Sequence, residues 1–137
     1  MTQKPVKLLG LDPGLRFTGW GIVESDGNRL RHIADGVIST DSIESVPLRL
    51  KALDDALTAL LLRYLPDEAA VEETYVNRNA TATLKLGYAR GVALLAPARS
   101  GCGYRSVPRR SPRHRPGRSL HNESRRNHPR LRRRRPS

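Results

Sequence analysis

The sequence lacks the features of an exported or membrane-spanning protein. It contains one cysteine, Cys102, which excludes a disulfide framework and fits a reducing compartment. It has no run of about 18 apolar residues, and its start lacks the long apolar stretch of a secretory signal. We therefore expect one cytoplasmic domain in these 137 residues, with no membrane partner.

Charge divides the chain into two unequal regions. Residues 1–98 carry 11 basic and 12 acidic side chains, whereas residues 99–137 carry 14 basic and one acidic. The net charge of +12 therefore describes the C-terminal region rather than a basic domain. Alanine follows the same division, with 12 in the first region and none in the second. These differences predict a domain over 1–98 and a separate segment over 99–137.

The segment 99–137 is predicted to be disordered, because its few apolar residues cannot offset the entropy of ordering. Three origins compete: a basic arm that binds nucleic acid, a low-complexity linker, and translation out of frame. The first region uses seven arginines and four lysines, but this segment uses 14 arginines and no lysine. Selection for charge alone would not exclude lysine, so the pattern favours out-of-frame translation.

The first region reads as an α+β domain of element order βββαβα. Alternating and apolar runs predict three strands that form an antiparallel meander, with a hairpin at Asp26-Gly27-Asn28. Apolar spacings of three and four predict two helices, and Pro97 is expected to end the second one. The predicted bounds are Lys7–Asp12, Thr18–Glu24, Arg29–Thr40, helix Val46–Leu65, strand Ala69–Glu73 and helix Ala80–Leu95.

Two acids are notable for their position. Asp12 ends the first predicted strand, and Glu72 lies near the end of the fourth, which is able to pair beside the first. Carboxylates on adjacent strand ends can converge on a hard cation such as Mg²⁺, and two such ions can support phosphodiester cleavage. The simpler alternative is that each acid caps a turn or solvates a strand end. Spacing alone leaves both readings open.

Four segments of the first region resemble a known family. The similarity is to the bacterial RuvC-type crossover-junction endonucleases, of the ribonuclease H-like superfamily. The matching motifs follow one another at the family's spacing through nearly all of residues 7–98. They are LGLDPGLRFTGWG (Leu9–Gly21), NRLRHIADG (Asn28–Gly36), PDEAAVEETYVNRN (Pro66–Asn79) and TLKLGYARGVALLAPA (Thr83–Ala98).

The resemblance implies a dimeric enzyme that uses two Mg²⁺ ions to nick four-way (Holliday) DNA junctions in recombination and repair. Asp12 matches the first metal-binding and catalytic acid of the family. Glu72, which follows the apolar pair Ala70-Val71, matches the second in preference to Glu73. Branch-migration motor proteins are further partners implied by the family, and the second helix resembles the helix that forms the dimer.

The resemblance also suggests DNA contacts. Tyr75 matches an aromatic residue implicated in stacking on an unpaired base, although an ordinary packed aromatic is the alternative. Asn77 and Arg78 lie in a polar loop suited to phosphates, or in a plain solvated turn. Lys85 and Arg90 are candidates for backbone contacts, or for the solvated face of the helix.

The chain departs from the family after Ala98. The family continues with a fifth strand, a lysine-bearing DNA contact and a last helix with two further aspartates, and we expect none of these here. Glu123 is the only acid beyond Glu73. Half of the expected carboxylates are then missing, and little or no cleavage is predicted. The competing hypotheses are a non-enzymatic basic nucleic-acid binder and a non-functional product.

Overall fold

The strands and helices follow the predicted order and continue beyond it by one strand. The computed structural model describes residues 4–73 and 79–107. Three strands are followed by a helix, a strand, a helix and a final strand. Their bounds are β1 Val6–Asp12, β2 Phe17–Asp26, β3 Arg29–Ser39, α1 Val46–Tyr64, β4 Glu68–Glu72, α2 Ala80–Arg99 and β5 Gly103–Val107.

All five strands form one mixed sheet in the order β3-β2-β1-β4-β5. The β1, β2 and β3 strands pair antiparallel, and the hairpin between β2 and β3 places Gly27 at a φ of +59°. The β4 strand pairs parallel with β1, and β5 pairs parallel with β4. The predicted meander and the predicted pairing of the fourth strand beside the first are both confirmed.

One face of the sheet is covered by the helices, and we call it the covered face. Every fourth residue of α1 from Leu53 to Leu61 packs there, and α2 contributes alanines that allow close approach. Because side chains alternate along a strand, the residues between these core positions lie on the opposite, open face. The buried apolar residues of β1, β4 and the two helices are Leu9, Leu11, Ala69, Val71, Leu53, Leu57, Leu61, Ala89, Ala93 and Ala96.

The prediction that the sheet lacks a last strand is wrong. Residues Gly103–Val107 form β5, which continues the sheet beyond β4 and extends order into the segment predicted to be disordered. The strand is held by its backbone: Gly103 N–H donates to the Asp67 carbonyl at 3.0 Å, and the Val107 carbonyl accepts from Glu73 N–H at 2.8 Å. All five of its residues are exposed. Its two apolar residues, Tyr104 and Val107, are three positions apart and do not form the alternation that predicts a strand.

Helix α2 is also longer than predicted, because Pro97 does not end it. A proline cannot donate its own helical bond and its ring crowds the carbonyl four residues earlier, but these effects do not prevent the residues after it from continuing the helix here. The backbone N–H of Ser100 still bonds to the Ala96 and Pro97 carbonyls, so one further turn forms. In the described part of the chain, neither helix is long and apolar enough to cross a membrane.

Candidate active site

Asp12 and Glu72 lie side by side where two neighbouring strands end. Their strands are paired in parallel, and the final paired residues in this register are Leu11 and Val71. Asp12 and Glu72 are the next residue on each strand, and each ends its strand. Neighbouring strands lie about 4.8 Å apart, and partners in a parallel register point to the same face. The two predicted site acids are therefore brought together.

Both acids lie on the open face of the sheet. Leu11 and Val71, which precede them, point into the core and are at most 4% exposed. Asp12 is exposed and Glu72 is half-buried. The carboxylates are therefore accessible to ions and substrate rather than enclosed in the core.

Small residues surround the two acids on the open face. Gly19 of β2 pairs with Asp12, and Gly21 pairs with Gly10. Ala70 of β4 pairs with Gly10 on the other side. A Cβ added at Gly19 would lie 3.7 Å from the Asp12 Cβ, which is an ordinary contact. The open face therefore carries only small side chains beside the two carboxylates.

Glu73, the adjacent acid, is engaged elsewhere. Ser106 Oγ donates to Glu73 Oε1 at 3.0 Å, and the Glu73 N–H donates to Val107 at 2.8 Å. Ser106 is the register partner of Val71, whose side chain lies on the covered face. By alternation Glu73 lies on that face as well. This placement supports the choice of Glu72 rather than Glu73 as the second site acid.

A tight turn fixes the position of Asp12. A Cβ on Gly14 would overlap the carbonyl oxygen of Phe17, so only glycine fits the turn as it stands. Thr18, which is completely buried, donates from Oγ1 to the Gly14 carbonyl at 2.7 Å. Its Oγ1 also accepts from the Gly14 N–H at 3.3 Å. The Asp-Pro-Gly motif therefore sets both the end of β1 and the direction of the chain after it.

Arg90 is placed differently from its predicted role. It is half-buried on α2, and its guanidinium donates to the backbone carbonyl of Glu72. This bond connects the helix to the end of the strand that carries the site acid. A contact with DNA stays a prediction for Arg90, but its observed contact is internal.

Lys85 is exposed and lines a cleft of about 490 Å³ beside the β1–β2 turn. Arg16 and Arg49 line the same cleft, and sequence reasoning identified neither. The signal for Arg49 was available, because it precedes Leu53 by four residues and so occupies the apolar stripe of α1. The predicted DNA contacts Tyr75, Asn77 and Arg78 lie outside the described residues.

The described acids provide an incomplete metal site. Asp12 and Glu72 supply the carboxylate oxygens that hard divalent cations prefer, and Mg²⁺ is commonly held by one or two carboxylates, with waters and substrate phosphates as its other ligands. Within residues 4–73 and 79–107, however, no group of three or more His, Cys, Asp or Glu side chains is able to hold a metal. The pair therefore fits one ion, and it does not supply the ligands of a two-metal centre.

Comparisons with known proteins show which family the chain resembles. Residues 8–108 match the family model described as crossover junction endodeoxyribonuclease RuvC. The chain is 78% identical over 96 residues to the protein of that name from Granulibacter bethesdensis, which covers 70% of this chain and 54% of the relative. The corresponding protein of Acidiphilium cryptum is 74% identical over 95 residues, covering 69% and 57%. The chain thus spans little more than half the length of these curated relatives.

A solved structure shares the fold. Thermus thermophilus RuvC, determined in complex with a Holliday junction substrate, superimposes with a TM-score of 0.68 at 25% identity. The match covers 75% of this chain and 64% of that one. The family match reaches residue 108, past the predicted boundary at 98, so it includes β5. Because the family model matches residues 8–108, the chain belongs to the crossover junction endodeoxyribonuclease RuvC family.

Proposed function

We propose that this chain is the acid-bearing part of a Mg²⁺-dependent endonuclease that acts on four-way DNA junctions. The observation that carries the proposal is the adjacency of Asp12 and Glu72 at the open face of neighbouring parallel strands. Family membership supports the reaction class, and the junction bound to the Thermus thermophilus relative supports the substrate class.

In this proposal Asp12 and Glu72 hold one divalent ion by a carboxylate oxygen each. When bound between these two carboxylates, the ion would supply Lewis-acid chemistry for phosphodiester hydrolysis. The protein positions the two oxygens. Thr18 and the Gly14 turn hold Asp12 in place, and Arg90 holds the backbone of Glu72. Glycines around the acids allow a DNA strand to approach the open face closely.

The DNA-binding surface is proposed to extend from these acids along the start of α2. Lys85 would contact backbone phosphates through its exposed ammonium group. Asn77, Arg78 and Tyr75 would contribute phosphate contacts and base stacking, and stacking contributes about 1–3 kcal/mol per base. Phosphate contacts position the strand without reading its sequence, which suits an enzyme selective for junction shape.

A homodimer is proposed through the exposed side of α2. Leu84, Tyr88 and Leu95 recur at spacings of four and seven residues, and they are 56%, 42% and 51% exposed. A Cβ at Gly87 or Gly91 would meet nothing within 4 Å, so a second backbone has room to approach. Two copies would place two acid pairs on one junction, as symmetric nicking requires. Motor proteins for branch migration stay a prediction from the family.

Cleavage by these 137 residues is proposed to be weak, because two carboxylates are available in place of four. The test is binding and nicking of a synthetic four-way junction, compared with a linear duplex of the same arms. We expect about tenfold or greater preference for the junction, with slow nicking at best in Mg²⁺. Rapid Mg²⁺-dependent nicking by protein of verified 137-residue mass would contradict the proposed impairment.

A non-enzymatic nucleic-acid binder is the second candidate, favoured by the 14 arginines and single acid of residues 99–137. Such a protein binds through phosphates alone, so its affinity falls steeply with salt and is equal for junction and duplex. Equal affinities in the same experiment would therefore select this alternative over the junction endonuclease.

A further inference from the structure

The cleft beside the β1–β2 turn is positively charged. Arg16, Arg49 and Lys85 line it, and no acidic residue does among those the structure describes. We call it the basic cleft. Its volume of about 490 Å³ is enough for a phosphodiester with its sugar. The cleft reaches Gly14, which lies in the turn that follows Asp12 at the end of β1.

Arg49 is the most informative of the three cations. It is only 8% exposed, and its Nε donates to Thr40 Oγ1 at 2.9 Å. Thr40 Oγ1 in turn donates to the Leu15 carbonyl, so this side of the guanidinium is fixed to the turn. Among the described residues, its terminal nitrogens have neither a hydrogen-bond acceptor nor a carboxylate partner. These terminal nitrogens are not among the buried unpaired side-chain atoms of the described residues, so they are accessible from the cleft and free to donate to an anion there.

The other two cations surround the entrance of the basic cleft. Arg16 is exposed and stacks over the Phe17 ring, with its guanidinium carbon 5.2 Å from the ring centroid. Lys85 lines the cleft from α2, next to the small side chain of Ala82. A largely buried guanidinium with two exposed cations beside it suits a phosphate, whose several oxygens can accept from all three.

We propose that the basic cleft binds a backbone phosphate of the DNA strand that leads to Asp12 and Glu72. Arg49 is the fixed anchor, and Arg16 and Lys85 close on the phosphate from the solvent side. This inference rests on the proposed function, because it takes DNA as the ligand. It adds Arg16 and Arg49 to the binding surface and assigns Lys85 to a defined subsite.

The test is the salt dependence of junction binding by the full chain, measured by fluorescence anisotropy between 50 and 200 mM salt. Arg16→Gln and Lys85→Gln should each lower the slope of log K against log salt by about 0.9, the value for one phosphate contact. Affinity at a fixed salt should fall roughly three- to tenfold for every junction sequence. Arg29→Gln is the matched control, since Arg29 starts β3 at the opposite end of the sheet.

Arg49 is tested by Arg49→Gln and Arg49→Lys, with circular dichroism to establish folding. Gln should lower the slope as the other two changes do, whereas Lys keeps the charge and should restore most of the affinity. If Arg49→Gln does not fold, the salt slopes of Arg16→Gln and Lys85→Gln alone test phosphate binding in the basic cleft. The ¹⁵N–¹H spectrum provides a second readout, because a short oligonucleotide should shift the amides of Arg16, Phe17 and Ala82.

Three results would overturn the subsite. Unchanged salt slopes for Arg16→Gln and Lys85→Gln, with normal junction binding by the parent, would show that the basic cleft does not bind a phosphate. The proposed function would stand. An equal fall for Arg29→Gln would indicate diffuse attraction rather than a site. Failure of the parent chain itself to bind a junction would overturn the proposed function, and the DNA subsite with it.

Discussion

At the end that carries Asp12 and Glu72, the two faces of the β1–β4 strand pair are made from different kinds of residue. The covered face presents Leu9, Leu11 and Val71, which are almost completely buried under α1 and α2. The open face presents Gly10, Asp12, Ala70 and Glu72 there, and the apolar Leu8 lies farther from the acids. One face holds the fold together and the other is free for chemistry. Substitutions on the two faces should therefore affect different measurements.

The largest effect on stability is expected from the covered face. Leu57 is completely buried between α1 and the sheet. Leu57→Ala should lower the free energy of unfolding by about 2–5 kcal/mol, since it removes buried methyl groups and leaves a cavity. Urea denaturation measures the loss, and Leu62→Ala on the exposed side of the same helix is the control. Equal losses for the two variants would contradict the assignment of faces.

The turn between β1 and β2 is expected to give the next largest loss of stability on substitution. Gly14→Ala places a Cβ against the Phe17 carbonyl, so the backbone must move, at a cost of about 1–3 kcal/mol. Gly10→Ala is the control, because its Cβ would meet its nearest neighbour, the Gly21 carbonyl, at 3.9 Å. We expect the control to change stability by less than about 0.5 kcal/mol. The free energies from urea denaturation decide between them.

Arg90 connects the covered face to the site acid. Arg90→Gln removes its bond to the Glu72 carbonyl and should lower the free energy of unfolding by about 1–2 kcal/mol. Lys85→Gln, one helical turn earlier and exposed, should change it by less than about 0.5 kcal/mol. For junction binding, Lys85→Gln should lower the salt slope and Arg90→Gln should not. A lowered slope for Arg90→Gln would restore it as a DNA contact.

A smaller effect tests whether the segment after Arg99 is folded. Cys102 Sγ donates to the Pro66 carbonyl at 3.2 Å. Burial, and secondarily the negative charge of Asp67, raises the pKa of the Cys102 thiol above its ordinary value. A raised pKa favours the neutral thiol. The contribution of the neutral thiol to the free energy of unfolding is therefore present below the ordinary thiol pKa, and it is lost as pH rises through the raised pKa.

Alkylation of Cys102 by iodoacetamide measures this shift. The rate should reach half its maximum at a higher pH in the native protein than in the same protein unfolded in urea, because only the thiolate reacts. Coincident midpoints would show that residues 99–107 are not packed against the sheet.

The parts of the fold that were predictable from sequence are those with an apolar period. The apolar run of β1 and the leucine spacing of α1 come from burial, and burial leaves its pattern in the residues. The β5 strand has no such pattern. Its ordering comes from backbone bonds to β4 and from an ion pair of 2.8 Å between Arg105 and Glu68, which only the folded sheet brings together.

The candidate site divides in the same way. Asp12 and Glu72 were identifiable because each ends a strand, and the ends of two parallel neighbours lie at the same edge of the sheet. The anchoring role of Arg90 and the position of Arg49 depend on how two helices pack at that edge, which no local pattern specifies. Arg49 was nevertheless marked as unusual, since a cation stood on the apolar stripe of α1.

On the proposal, Asp12 and Glu72 share one divalent ion on the open face. Calorimetric titration of the 137-residue chain with Mn²⁺, which accepts the same oxygen ligands as Mg²⁺, tests this sharing. We expect one ion per chain, at least about tenfold weaker binding in Asp12→Asn and Glu72→Gln, and unchanged binding in Glu73→Gln. Mn²⁺ affinity that is absent from the parent, or equal in all four proteins, would contradict it.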